Sequence, residues 1–160
     1  MPERDEFILG EFQRTLDERY RLAIPTELLP GLGEGANCIL AKERPGCLSL
    51  WRSEVWQTRL DTGVDLIRAK MQAGKLEGQL AQVQRLGRLL STRHRAVELA
   101  GRGRLLVPEG FREFLRVQPG SEVVVVGAAV CIEIWSPAEW LKYLDAGMVK
   151  FRRLFDRLSS

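Results

Sequence analysis

Little in this chain can do covalent chemistry. Its single histidine, His94, excludes a histidine-based zinc cluster and leaves no credible base for a Ser-His triad. The three cysteines, Cys38, Cys47 and Cys131, have no metal-ligand spacing, and their odd number argues against a disulfide framework. Asp17, Glu18 and Glu98 make no paired-carboxylate motif, and no glycine loop of the phosphate-cradling kind is present. No enzyme, metal or cofactor is expected. No apolar run approaches the roughly 18 residues that a membrane span needs, and Met1-Pro2-Glu3-Arg4-Asp5-Glu6 does not open a signal peptide. The cytoplasm is the expected location.

Charge is scarce in total but uneven. The formal net charge is +3 over 160 residues. Residues 1–34 hold four basic and eight acidic side chains, whereas residues 75–116 hold nine basic and four acidic. An Arg-rich segment of this kind is an electrostatic footprint for a polyanion, although many solvated faces look alike.

The chain states one pattern twice. Leu16-Asp17-Glu18-Arg19-Tyr20-Arg21-Leu22-Ala23-Ile24-Pro25 returns 83 residues later as Leu99-Ala100-Gly101-Arg102-Gly103-Arg104-Leu105-Leu106-Val107-Pro108. Leu50-Trp51-Arg52-Ser53 with Trp56 returns 84 residues later as Ile134-Trp135-Ser136 with Trp140, and Cys47 and Cys131 share that offset. Two copies at so long a period make no solenoid. They make a duplicated small β-rich unit, in which the cysteines and tryptophans read as core.

The coarse elements follow. Leu22-Ala23-Ile24 is an apolar strand stopped by Pro25, followed by a helical turn over Thr26-Glu27-Leu28-Leu29. Pro45-Gly46 turns a hairpin, and Val123–Val126 with Val130–Trp135 form another around Gly127-Ala128-Ala129. A short helix is predicted over Phe111–Leu115, and longer ones over about 53–72, 76–91 and 136–158. Ser53 and Ser136 are the candidate caps, Ser136 with proline next and a capping-box Glu139. The predicted division is a first repeat over 7–56, connecting helices over 57–91, a second repeat over 92–140 and a helical extension over 141–160.

Duplicated β units with this polar turn, an Arg, three apolar residues and Pro resemble the MraZ family over about residues 7–144. The resemblance implies an α+β fold: two tandem AbrB-like swapped-hairpin repeats with peripheral helices. It also implies a nucleoid-associated transcriptional regulator, a repressor of the division and cell-wall gene cluster. Such a protein binds short repeats of double-stranded DNA as a ring-like homo-oligomer. The family turn reads Asp-x-x-Gly-Arg. Here the first copy keeps Asp17 and Arg21 with Tyr20 in place of glycine, and the second keeps Gly103 and Arg104 with Ala100 in place of aspartate.

By the resemblance, Arg21 and Arg104 contact DNA, with Arg19 and Arg102 assisting. An Arg at a turn can bond phosphates or set its planar fork against guanine. Alternate residues share a face if the chain is extended there. Asp17, Tyr20 and Gly103 are candidates for shaping the turns, and Arg93 and Arg95 for widening the basic surface. The plainer readings are an Asp17–Arg21 ion pair that only fixes a turn and a solvated edge at Arg93–Arg95. A left-handed backbone would strain tyrosine at position 20, so either the turn differs there or Tyr20 makes a contact of its own. The acidic first unit and the free Arg104 make the second turn the stronger expected contact. The competing function is an AbrB-fold module that binds a protein partner, as antitoxins do.

Overall fold

The structure, a computed structural model, describes residues 7–33, 35 and 37–160. The opening segment Met1–Glu6 lies outside them. In the first repeat β1 (Ile8–Thr15) and β2 (Arg21–Ala23) lead through a 3-10 turn, Leu29–Leu32, to the hairpin β3 (Asn37–Arg44) and β4 (Cys47–Arg52) and to α1 (Ser53–Gln72). After α2 (Leu80–Thr92) the plan recurs. It gives β5 (His94–Glu98), β6 (Arg104–Leu106), α3 (Phe111–Leu115), β7 (Glu122–Ala129), β8 (Ile132–Trp135) and α4 (Pro137–Ser159).

Six strands form one antiparallel sheet in the order β1-β7-β8-β4-β3-β5, and β2 pairs with β6 in a separate two-stranded ribbon. The order is its own mirror under exchange of the repeats. Each copy's first strand therefore lies on the other copy's hairpin. Ile8 faces Ala129 at one edge, Asn37 faces Glu98 at the other, and β4 meets β8 in the middle. The swapped α+β architecture is that implied by the duplicated turn.

One face of the sheet builds the main core. Leu40, Leu48, Leu50, Val123, Val125, Ile132 and Ile134 are fully buried there, beneath Leu22 and Leu105 of the ribbon and Leu28, Phe111 and Leu115. Burial of each such side chain is worth roughly 1.5–3 kcal/mol, so the ribbon is held down by its inward leucines. The opposite face carries two smaller clusters related by the repeat. Cys131 packs with Ala41, Trp51 and Trp56, and Cys47 with Val124, Trp135 and, at its margin, Trp140. Each cysteine thus completes the other repeat's tryptophan cluster, where burial pushes the Cys131 thiol up to about 12. These thiols pack and do not react.

Three local readings need correction. β7 runs on through Gly127-Ala128-Ala129, and the turn falls at Val130-Cys131. The reason is β1: Gly10 pairs with Gly127, where a Cβ would stand 2.4 Å from the Ile8 backbone. α2 begins at Leu80 because Gly74 and Gly78 take φ of +73° and +74°. Ser136 Oγ accepts from Glu139 N at 3.2 Å as a cap should, whereas Ser53 Oγ donates to the Asn37 carbonyl and caps nothing.

Candidate nucleic-acid interface

The ribbon alternates strictly. Leu22 and Leu105 point into the core, while Arg21 and Ala23 on one strand and Arg104 and Leu106 on the other are exposed. The register sets Arg21 opposite Leu106 and Ala23 opposite Arg104. The two arginines are diagonal neighbours on one face, with backbones roughly 7–8 Å apart. Turns enter the ribbon at its two ends. Val107 N donates to the Tyr20 carbonyl and Ile24 N to the Gly103 carbonyl, both at 2.9 Å. Each turn is therefore clamped to the strand of the other repeat.

The first turn is organised by a side chain. Asp17 Oδ1 accepts from the N–H groups of Arg19 at 2.8 Å and Arg21 at 2.9 Å, and Oδ2 accepts from Arg21 Nε at 3.0 Å. The Arg21 backbone bond, helped by that of Arg19 and by the guanidinium, holds the Asp17 carboxyl below the usual carboxylate range. Tyr20 does sit left-handed, at φ +60°. That costs a non-glycine residue roughly 1–2 kcal/mol. Its ring packs on the margin of the main core, and the Arg112 guanidinium lies 4.1 Å from its centroid. Arg112 is itself fixed, its Nε donating to the Val107 carbonyl at 2.7 Å. Stacking of this kind is worth about 0.5–2 kcal/mol, enough to offset the backbone cost.

The second turn does without a side chain. Ala100 N donates to the Arg104 carbonyl at 2.9 Å and Arg104 N to the Ala100 carbonyl at 2.8 Å. Gly101 and Gly103, at φ +51° and +84°, supply the curvature. Gly103 is buried beneath Leu29, whose methyls would stand 2.8 Å from a Cβ there. Leu29 occupies the repeat position of Arg112. Where the first turn has a tyrosine under an arginine, the second has no side chain under a leucine. Arg104 takes part in no ion pair among the described residues and lies over Gly101.

The structure brings Arg21 and Arg104 to one face and puts Arg19 and Arg102 in the turns, exposed. Arg19 and Arg21 do not share an extended stretch, since Tyr20 turns between them. Arg93 is not part of this surface. It precedes β5 at the end away from the turn, 3.6 Å from Glu43 and 5.5 Å from the Trp56 ring. Arg95 leans with Lys42 on Phe111, at 5.8 and 5.1 Å. Arg112 was not among the residues singled out from the sequence. Its signal is the 83-residue offset, which sets it against Leu29 as Tyr20 is set against Gly103.

A six-stranded swapped sheet that presents one two-stranded ribbon, flanked by paired arginine turns, defines a duplicated AbrB-like protein. The model of the family described as "MraZ protein, putative antitoxin-like" matches residues 92–158. The chain is 31% identical over 138 residues to the transcriptional regulator MraZ of Roseiflexus castenholzii, covering 86% of this chain and 87% of that one. It is 28% identical over 150 residues to the transcriptional regulator MraZ of Heliobacterium modesticaldum, covering 94% and 95%. The chain belongs to the MraZ family.

Proposed function

We propose that this protein is a sequence-specific DNA-binding transcriptional regulator, a repressor of the division and cell-wall gene cluster. The observation that carries the reading is the exposed face of the β2–β6 ribbon, with Arg21 and Arg104 on it and Arg19 and Arg102 in the flanking turns. A two-stranded ribbon fits the major groove of B-DNA, where an arginine fork can bond guanine O6 and N7. Three pairs at about 3.4 Å per residue give a rod roughly 10 Å long, short enough to meet only a few base pairs. One ribbon therefore reads a short element. Several ribbons held in a ring-like homo-oligomer reach useful affinity over repeated elements through effective concentration. Asp17, Tyr20 and Gly103 shape the turns, and the protein works at the nucleoid without a cofactor.

The relatives' printed names as transcriptional regulators support the reading, and no helix among the described residues is long and apolar enough to cross a membrane. Footprinting the purified protein on DNA upstream of its own gene tests it. Protection of evenly spaced short repeats is expected. Protection no better than on unrelated DNA, at any salt concentration, refutes sequence-specific binding.

A further inference from the structure

The helices that close the two repeats have different surroundings. α1 is flanked by α2, with Leu90 3.9 Å from where a Cβ on Gly63 would stand. Between the two helices lies a groove of about 510 Å³. Leu60, Val64 and Leu90 line it half-buried, and Asp61 and Asp65 stand exposed beside them, with Arg68 and His94 at its margins. Gln57 Nε2 donates to Asp61 at 2.9 Å, while Asp65 has no hydrogen-bond or ion-pair partner among the described residues.

α4 is the repeat counterpart of α1, and no second helix flanks it. Met148, Phe151, Phe155 and Leu158 are 51%, 58%, 59% and 75% exposed, and the rings of Phe151 and Phe155 lie 6.0 Å apart. At about 100° per residue these four fall on one stripe, with Arg152 on its flank. Residues 150–157 carry Lys150, Arg152, Arg153 and Arg157 against a single acid, Asp156. An apolar stripe of this extent, rimmed by charge, marks a protein interface.

We infer that the free half of α4 docks into the α1–α2 groove of a second copy of this chain. Phe151 and Phe155 enter over Leu60, Val64 and Leu90, and the cations beside them meet Asp61 and Asp65. Charge selects this occupant. Two α4 helices laid together would set a net +3 against a net +3, whereas the groove offers carboxylates beside an apolar floor. The surfaces are unlike, so the contact is head-to-tail. Each copy spends its helix on one neighbour and its groove on the other, a succession that closes into a ring if the rotation allows. The inference rests on the homo-oligomer proposed above.

The test uses the full chain and two variants, sized by light scattering. Phe151→Asp with Phe155→Asp disables the helix; Asp61→Lys with Asp65→Lys disables the groove and leaves its floor intact. All four positions are exposed, so the circular dichroism of both variants stays native. The unaltered chain is expected to be an oligomer and each variant alone a monomer. An equimolar mixture forms a one-to-one complex and nothing larger, because one good helix and one good groove remain. A groove variant that assembles like the unaltered chain, or a mixture that stays monomeric, overturns the docking but leaves the oligomer standing. A monomeric unaltered chain removes both.

Discussion

The two turns do the same mechanical work with opposite chemistry. At 17–21 an aspartate side chain ties the backbone, a left-handed tyrosine fills the space beneath Arg112, and Arg21 is bound to Asp17. At 100–104 the backbone ties itself, glycine leaves room for Leu29, and Arg104 remains unpaired among the described residues. The backbone bond from residue 17 to 21 and its counterpart from 100 to 104 are nonetheless alike, at 3.0 and 2.9 Å. A turn geometry can thus be kept while its supports are exchanged, provided that the residue packed against it changes too.

Forcing the second turn to resemble the first should break it. Gly103→Tyr puts a side chain into a left-handed, buried position already filled by Leu29. Backbone strain of roughly 1–2 kcal/mol and overpacking of roughly 1–3 kcal/mol together predict a loss of about 2–5 kcal/mol in urea unfolding. Adding Leu29→Ala should recover only the packing share. Full recovery would show that φ +84° is no burden to tyrosine there.

Function should divide the turns next. Arg104→Ala is predicted to weaken binding to the upstream repeats by about 1–3 kcal/mol per engaged ribbon if the side chain reads a base. Arg21→Ala should cost less, because Asp17 competes for its guanidinium. Titrations at two salt concentrations make the comparison. Equal losses would make the turns equivalent, and no loss for Arg104→Ala would remove it from the interface.

The reverse graft should be mild. Tyr20→Gly relieves the left-handed backbone but forfeits the ring beneath Arg112. The two nearly cancel, so stability should change by no more than about 1 kcal/mol. A larger loss in thermal unfolding would mean that the ring's packing on the core outweighs its stack.

Acid should reach only one turn. Asp17 is held below the usual carboxylate range, so its support is complete above the ordinary value and is lost as pH falls through the lowered one. In an NMR titration the Arg21 amide should follow Asp17, while the Arg104 amide, bonded to a carbonyl, should not. Parallel shifts of both amides would point to the whole fold opening rather than to a local carboxylate.

Much of this was legible in the sequence. The repeat placed both turns, Pro45-Gly46 and the Ser136 cap marked real boundaries, and β-branched runs located β7 and β8. What escaped depends on partners distant in the chain. Gly127-Ala128-Ala129 looks like a turn until β1 supplies eight pairing residues for β7. Tyr20 looks like a defect until Arg112, on the other repeat, is found above it. Arg93 looks available until Glu43 and Trp56 are seen to hold it. Local pattern reports what a residue favours, whereas the packing of the other repeat determines which preference prevails.

The exchange of first strands also sets a timetable. β1 is among the first segments made, yet Ile8 must wait for Ala129, 121 residues further on. At a synthesis rate of roughly 5–20 residues per second that wait is about 6–24 s. During it the growing chain carries an unmatched strand edge, and the hairpin of the first repeat lacks its outer neighbour. Chains arrested on the ribosome before β7 emerges should therefore be cut readily by protease within β1, and those released after β8 should resist.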